Sequence, residues 1–176
     1  NTTPIDGAFI IDIQKHGDNR GFFGRAFCEN EFRENKIPFK IAQANIACSH
    51  KKGTLRGMHY QVAPHQEAKL VRCVRGAIFD VIIDLRQDSS SYGKWFGVRL
   101  SSDSNRMLFL PEGTAHGYLS LVDDTEIFYL VSQFYAPGAE RGIRWNDPAF
   151  NIDWPIKENL IISEKDQAWP DFKRRN

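Results

Sequence analysis

The chain is poor in the features that mark secreted, membrane-spanning or nucleic-acid-binding proteins. Only three cysteines, Cys28, Cys48 and Cys73, occur in 176 residues. They are odd in number and none stand close together, which argues against a disulfide framework and for a reducing compartment, with the cytoplasm expected. No apolar run approaches the ~20 residues needed to span a bilayer. The opening Asn-Thr-Thr-Pro-Ile-Asp lacks the basic and apolar regions of a signal peptide. Charge of one sign is also missing: 23 basic and 22 acidic residues leave a formal charge of +1. Because they are interspersed, no long-range field draws the chain to nucleic acid or an anionic membrane, and an anionic ligand must be held by local groups. The one single-signed run, Lys173-Arg174-Arg175, reads as a solvated tail. With no internal repeat and no low-complexity linker, a 41% hydrophobic composition suits a single domain over 1–176 with one continuous core.

What the chain does contain is a succession of short apolar runs rich in Val, Ile, Phe and Leu between turn residues. Strands are expected at Ala8 to Gln14, Phe22 to Phe27, Ile41 to Cys48, Leu55 to Gln61, Ala68 to Arg75, Ala77 to Leu85, Trp95 to Leu100, Met107 to Leu110, His116 to Leu121 and Glu126 to Tyr135. Asp18-Asn19-Arg20-Gly21 reads as a turn. In the strand after Gly76, Phe79, Val81, Ile83 and Leu85 share one face while Asp80 and Asp84 share the other. Asn30 is placed to cap a short helix over 31–35 that ends before Pro38, and Ser163 to cap another over 164–169. With no amphipathic crossover helices between the strands, the pattern is an all-β sandwich or barrel carrying a few short helices.

His59 and Lys69 are the first candidates for chemistry. If Pro64 and its neighbours form a hairpin turn, the two residues lie equally far from it on opposing strands and point to one face. An imidazole, with an ordinary pKa of about 6.5, can take a proton near neutrality, and an adjacent ammonium can stabilise the charge left on a carbonyl substrate. The pairing suggests proton abstraction beside a carbonyl. A plainer reading stands beside it, in which His59 caps a turn and Lys69 is a solvated strand residue. Tyr129 and Tyr135, an even number of residues apart in one expected strand, would face the same way and line one cavity, as proton donor and stacking ring or as ordinary core tyrosines.

Pro111-Glu112-Gly113-Thr114-Ala115-His116 is similar to the second motif of the cupin jelly rolls, Pro-x-Gly-x-x-His. The first cupin motif begins with Gly53 and His59, five residues between them, and then departs: Gln61 stands where metal cupins carry a second histidine, and no acid follows. His59 and His116 alone fall short of a catalytic metal's usual ligand set, so no metal is expected.

Taken together, the words Asp18-Asn19-Arg20-Gly21-Phe22-Phe23, Leu55-Arg56-Gly57-Met58-His59-Tyr60-Gln61, Ala68-Lys69-Leu70-Val71-Arg72, Ile143-Arg144-Trp145-Asn146-Asp147-Pro148 and Ile162-Ser163-Glu164-Lys165-Asp166 resemble the dTDP-4-dehydrorhamnose 3,5-epimerase family, in order and spacing, from Gly7 to Trp169. The resemblance implies a cupin-type jelly-roll dimer that takes a nucleotide-linked 4-keto-6-deoxyhexose and inverts C3, C5 or both without metal or organic cofactor. It places His59 as the base, Asp166 as the carboxylate that orients it, Lys69 as the cation beside the keto oxygen and Tyr129 as the acid on the opposite face. Two groups on opposite faces are what inversion requires. Arg20, Arg25, Gln43, Asn45, Arg56, His116, Tyr135, Glu140 and Lys165 are expected on the nucleotide sugar, with arginine suited to the diphosphate. Simpler readings remain for some of these: Arg20 steadies its turn, Asn45 completes strand hydrogen bonds, Glu140 is a loop charge.

One departure bears on specificity. Gly24-Arg25 follows the Phe-Phe pair where the rhamnose-pathway enzymes carry glutamate, so a negative group on the nucleotide side has become positive. Thymidine is expected, with cytidine and guanosine carriers and other sugars left open. The alternatives to an epimerase are a related 3,4-ketoisomerase, a noncatalytic sugar-binding cupin and, last, a metal-dependent cupin oxygenase. A homodimer is expected, with the strand around Ala8 to Ile13 exchanged between subunits or lying as a simple edge strand within one.

Overall fold

The computed structural model describes residues 1–173; of the basic run at the C-terminus, Arg174 and Arg175 lie outside the described residues. Two antiparallel sheets face one another. One has the order β1 (Phe9–Asp12), β9 (Arg106–Leu110), β6 (Lys69–Arg75), β11 (Thr125–Val131), β4 (Gln43–Ser49). The other runs β12 (Glu140–Gly142), β5 (Thr54–Gln61), β10 (Thr114–Ser120), β7 (Ala77–Asp84), β8 (Trp95–Ser101), and the short β13 (Ile161–Ile162) adds to β5 in parallel. A separate hairpin, β2 (Lys15–Asp18) with β3 (Gly21–Gly24), stands apart from both. This is a cupin jelly roll.

Alternation along each strand sorts the apolar residues into three clusters. Val71, Cys73, Ile78, Ile82, Leu108 and Ile127 fill the space between the sheets. Leu55, Val81, Ile83 and Leu119 turn outward from the six-stranded sheet and are covered by Ile143, Phe150 and Trp154 of the C-terminal segment. Leu70, Met107 and Phe109 turn outward from the five-stranded sheet beneath Phe32, Ile37 and Phe39. Both faces of β7 are therefore buried, and Asp80 and Asp84 lie wholly inside. Asp84 accepts from Arg86 Nε at 2.8 Å and from the Ser89 and Ser91 hydroxyls, each at 2.5 Å. Burial pushes its carboxyl up, but these donors outweigh it and hold the pKa at about 2.

Several expectations need correction. The segment after β5 does not return as a hairpin: β5 pairs with β10 and β12, while β6 pairs with β9 and β11 in the opposite sheet. His59 and Lys69 thus face each other across the barrel. The first helix, α1 (Glu29–Glu34), begins after Cys28, which makes no side-chain cap, and Asn30 lies inside it. The second, α2 (Glu164–Gln167), is capped as expected by Ser163, whose hydroxyl accepts from the Asp166 N–H at 3.1 Å. The strand expected to reach Tyr135 ends at Val131, so strand parity does not bring the two tyrosines together. β1 is an edge strand paired with β9 of its own chain. β2, β12 and β13 answer to no expected strand.

Candidate active site

An interruption in β5 places the central residues. Arg56 and His59 are three apart, and an unbroken strand would send them to opposite faces. The pairing of β5 with β10 shifts register between His116 and Tyr118, and Gly57 takes φ +127°. A Cβ at Gly57 would meet Gly117 Cα at 2.5 Å, so the two glycines let the strands approach here. Both Arg56, itself exposed, and His59 then border one cleft between the sheets.

They open into a cleft of about 300 Å³ that also exposes Lys69, His116, Tyr118, Tyr129, Lys165 and Asp166. A second hollow of about 410 Å³ is lined by Gln43, Asn45, Gln61, Glu67, Tyr135 and Glu140. His59, Lys69 and Tyr129 border both, making two lobes of one cavity. The six-stranded sheet supplies Arg56, His59, His116 and Tyr118, and the five-stranded sheet Lys69 and Tyr129. The base and acid candidates therefore stand on opposing walls.

His59 Nε2 donates to Asp166 Oδ1 at 2.6 Å, which leaves Nδ1 with its lone pair free. Asp166, only 4% exposed, also accepts from the Gly57 N–H at 3.2 Å and the Trp169 indole at 3.3 Å. Burial raises its pKa, but the hydrogen bond and charge of His59 and these two donors outweigh it, so the carboxyl is held below its ordinary 3.8. The indole lies against Gly142, where any Cβ would come within 2.2 Å of the ring. Trp169 is the support the sequence did not single out.

Glu67 is a second one. Its carboxylate pairs with Lys69 Nζ at 3.0 Å, both side chains nearly buried. Burial first, and the Glu67 charge second, raise the Tyr129 phenol above its ordinary 10.0, which keeps it protonated as an acid must be. At the mouth, Glu140 accepts from Lys165 at 2.6 Å and from the Tyr135 hydroxyl at 2.9 Å. Gln61, at the metal cupins' second histidine position, is a clamp: its amide accepts from the Ala136 N–H and donates to the carbonyls of His65 and Phe134. Gln43 likewise accepts from the Tyr135 N–H at 2.8 Å. Among the described residues, no three His, Cys, Asp or Glu side chains are grouped to hold a metal ion.

Eleven of the thirteen expected residues meet in this cavity. The other two do not. Arg20 caps the β2–β3 turn through Asp18 at 2.6 Å, and Arg25 pairs with Glu31 of α1 at 3.2 Å, both exposed.

The family model for dTDP-4-dehydrorhamnose 3,5-epimerase matches residues 2–174. The chain belongs to the dTDP-4-dehydrorhamnose 3,5-epimerase family. A member from Methanothermobacter thermautotrophicus is 46% identical over 95% of this chain and 90% of its own length. A dTDP-4-dehydrorhamnose 3-epimerase of Streptomyces niveus is 40% identical over 93% of this chain and 78% of its own. The fold superposes on the 3,5-epimerase crystal structure from Elizabethkingia anophelis with a TM-score of 0.95 at 37% identity, over 98% of this chain and 94% of that one. The Bacillus anthracis enzyme, solved with TDP and pyrophosphate bound, gives 0.93 at 36% identity, over 98% and 97%.

Proposed function

We propose that this epimerase inverts a stereocentre beside the keto group of a dTDP-linked 4-keto-6-deoxyhexose, needing no metal or organic cofactor. The observation that carries the proposal is the placement of His59 and Tyr129 on opposing walls of one cavity with Lys69 beside both. His59 Nδ1 removes the proton from the carbon next to the carbonyl. The electron pair moves into the ring C–C bond and onto the keto oxygen, where Lys69 stabilises the enolate. Tyr129 delivers its own proton to the opposite face, and the phenolate and the imidazolium then re-equilibrate with solvent. Asp166 holds the imidazole so that Nε2 keeps its proton throughout.

Lys165 suits the diphosphate, with Tyr135 and Glu140 at the mouth and Gln43, Asn45, Arg56 and His116 along the walls. Both 3,5- and 3-epimerases are among the relatives, and one base facing one acid serves either carbon according to how the ring lies. Arg20 and Arg25 act in a homodimer. The β2–β3 hairpin, marginal alone, carries Phe22, 51% exposed, and Phe23, 67% exposed, both on β3. In this reading it packs on a second copy and carries the two arginines toward that subunit's nucleotide.

The test is incubation with a panel of 4-keto-6-deoxy sugar nucleotides in heavy water, followed by proton NMR. Deuterium should enter at C3, C5 or both with the thymidine-linked substrate. Binding without exchange across the whole panel would refute the proposal.

A further inference from the structure

Tyr118 lies in β10, two residues beyond His116, and is 5% exposed. It packs in the barrel interior with Ile78, Ile82 and Leu100, and the residue also lines the catalytic cleft. The hydroxyl is buried and finds no hydrogen-bond partner in the protein. Ser49 lies close enough to offset part of the rise that burial imposes on the phenol, without hydrogen-bond geometry. A buried hydroxyl left unpaired costs stability that a phenylalanine in the same place would not.

We propose that the Tyr118 hydroxyl is a specificity-determining contact that exchanges a hydrogen bond with a ring hydroxyl of the hexose at the cavity floor. The inference rests on the proposed epimerase activity. Exposure sets the direction of entry: at the mouth Tyr135 is 57% exposed and the Lys165 side chain 54%, whereas His116 and Tyr118 are buried. A nucleotide sugar anchored there by its nucleoside reaches the floor with its terminal hexose. On that hexose C4 is a carbonyl, C6 a methyl and C1 carries the diphosphate, so the free hydroxyls are those on C2 and C3. Arg56, Tyr118's exposed cross-strand neighbour, lines the same cleft and uses Nη2 on the Cys48 carbonyl and Nε on Ser49, which leaves Nη1 as a donor for a ligand there. A hydroxyl satisfies both, accepting from the guanidinium while it bonds the phenol.

The test compares wild type and Tyr118→Phe in the heavy-water exchange assay, using the full substrate and its 2-deoxy and 3-deoxy forms. Tyr118→Phe should lower kcat/KM for the full substrate on the order of tenfold, with an unchanged or raised Tm. Wild type should lose a similar factor with one deoxy form, and Tyr118→Phe nothing further with that form. The arm that shows this names C2 or C3. An unchanged kcat/KM in Tyr118→Phe, discrimination that persists in it, or an equal loss on every substrate with a lowered Tm each overturns the inference alone. A wild type that exchanges none of the panel overturns the epimerase reading with it.

Discussion

The barrel holds two histidine–aspartate pairs side by side, and they differ in what they leave open. His59 and His116 are cross-strand partners, with Nε2 to carboxylate distances of 2.6 and 2.7 Å. The His59 side chain is 31% exposed over an Asp166 at 6%, whereas His116 is 9% exposed over an Asp80 at 0%. The same bond thus serves two ends. An imidazole with an open ring nitrogen can exchange protons with a ligand, and one sealed against a buried strand residue offers a fixed surface. Their supports also differ. Asp166 arrives from the last helix and is held by Gly57 and Trp169, while Asp80 belongs to a central strand and has one oxygen without a partner.

Substitutions can break this contrast, and the largest effect falls at the base. His59→Ala should reduce solvent exchange by on the order of 10³-fold with little change in Tm; near-normal exchange would remove His59 from the mechanism. Asp166→Asn keeps the shape but disturbs the tautomer, and kcat should fall about 10²-fold while KM holds. Asp80→Ala should show the reverse balance. It leaves the His116 N–H buried without an acceptor, lowering stability by ~2 kcal/mol and raising KM more than it lowers kcat, measured by denaturant titration and steady-state kinetics. If the two aspartate variants lose activity and stability in the same ratio, the pairs are equivalent and the contrast fails.

Finer tests use pH. Glu67→Gln removes one of the influences that raise the Tyr129 pKa above 10.0, so the alkaline limb of the kcat profile should move to lower pH; an unmoved limb would detach Glu67 from the acid. The smallest effect concerns acid stability. Because Asp166 is depressed below 3.8 in the folded state, its contribution is present above the unfolded pKa and lost as pH falls through the lower folded one. Asp166→Asn should therefore narrow the stability gap to wild type only below about pH 4, read by thermal melts across acid buffers.

Much of the fold was legible because alternation is strong where strands bury one or both faces, as in 77–84. The short strands β12 and β13 escaped because two or three residues carry no period, and β2 because Lys15, His16, Gly17 and Asp18 are all exposed. The hairpin expected at Pro64 shows a deeper limit: neighbours in sequence need not be neighbours in space, and β5 and β6, consecutive in the chain, belong to opposite sheets. Even so, His59 and Lys69 were rightly joined, across the barrel instead of along one face. In the site, the groups that touch substrate in the proposed reaction were legible through the family words. Their supports, Glu67, Trp169 and Asp80, were not, because an acid or a tryptophan gives no sign in sequence of which side chain it will brace.

Asp166 lies in α2, just beyond β13, whose Ile161 and Ile162 pair alongside Thr54 and Leu55. The imidazole is thus backed by a carboxylate 107 residues further along the chain. Chains cut before that segment would lack the carboxylate behind the imidazole, however well the two sheets had formed, so turnover reports on whether the segment is docked.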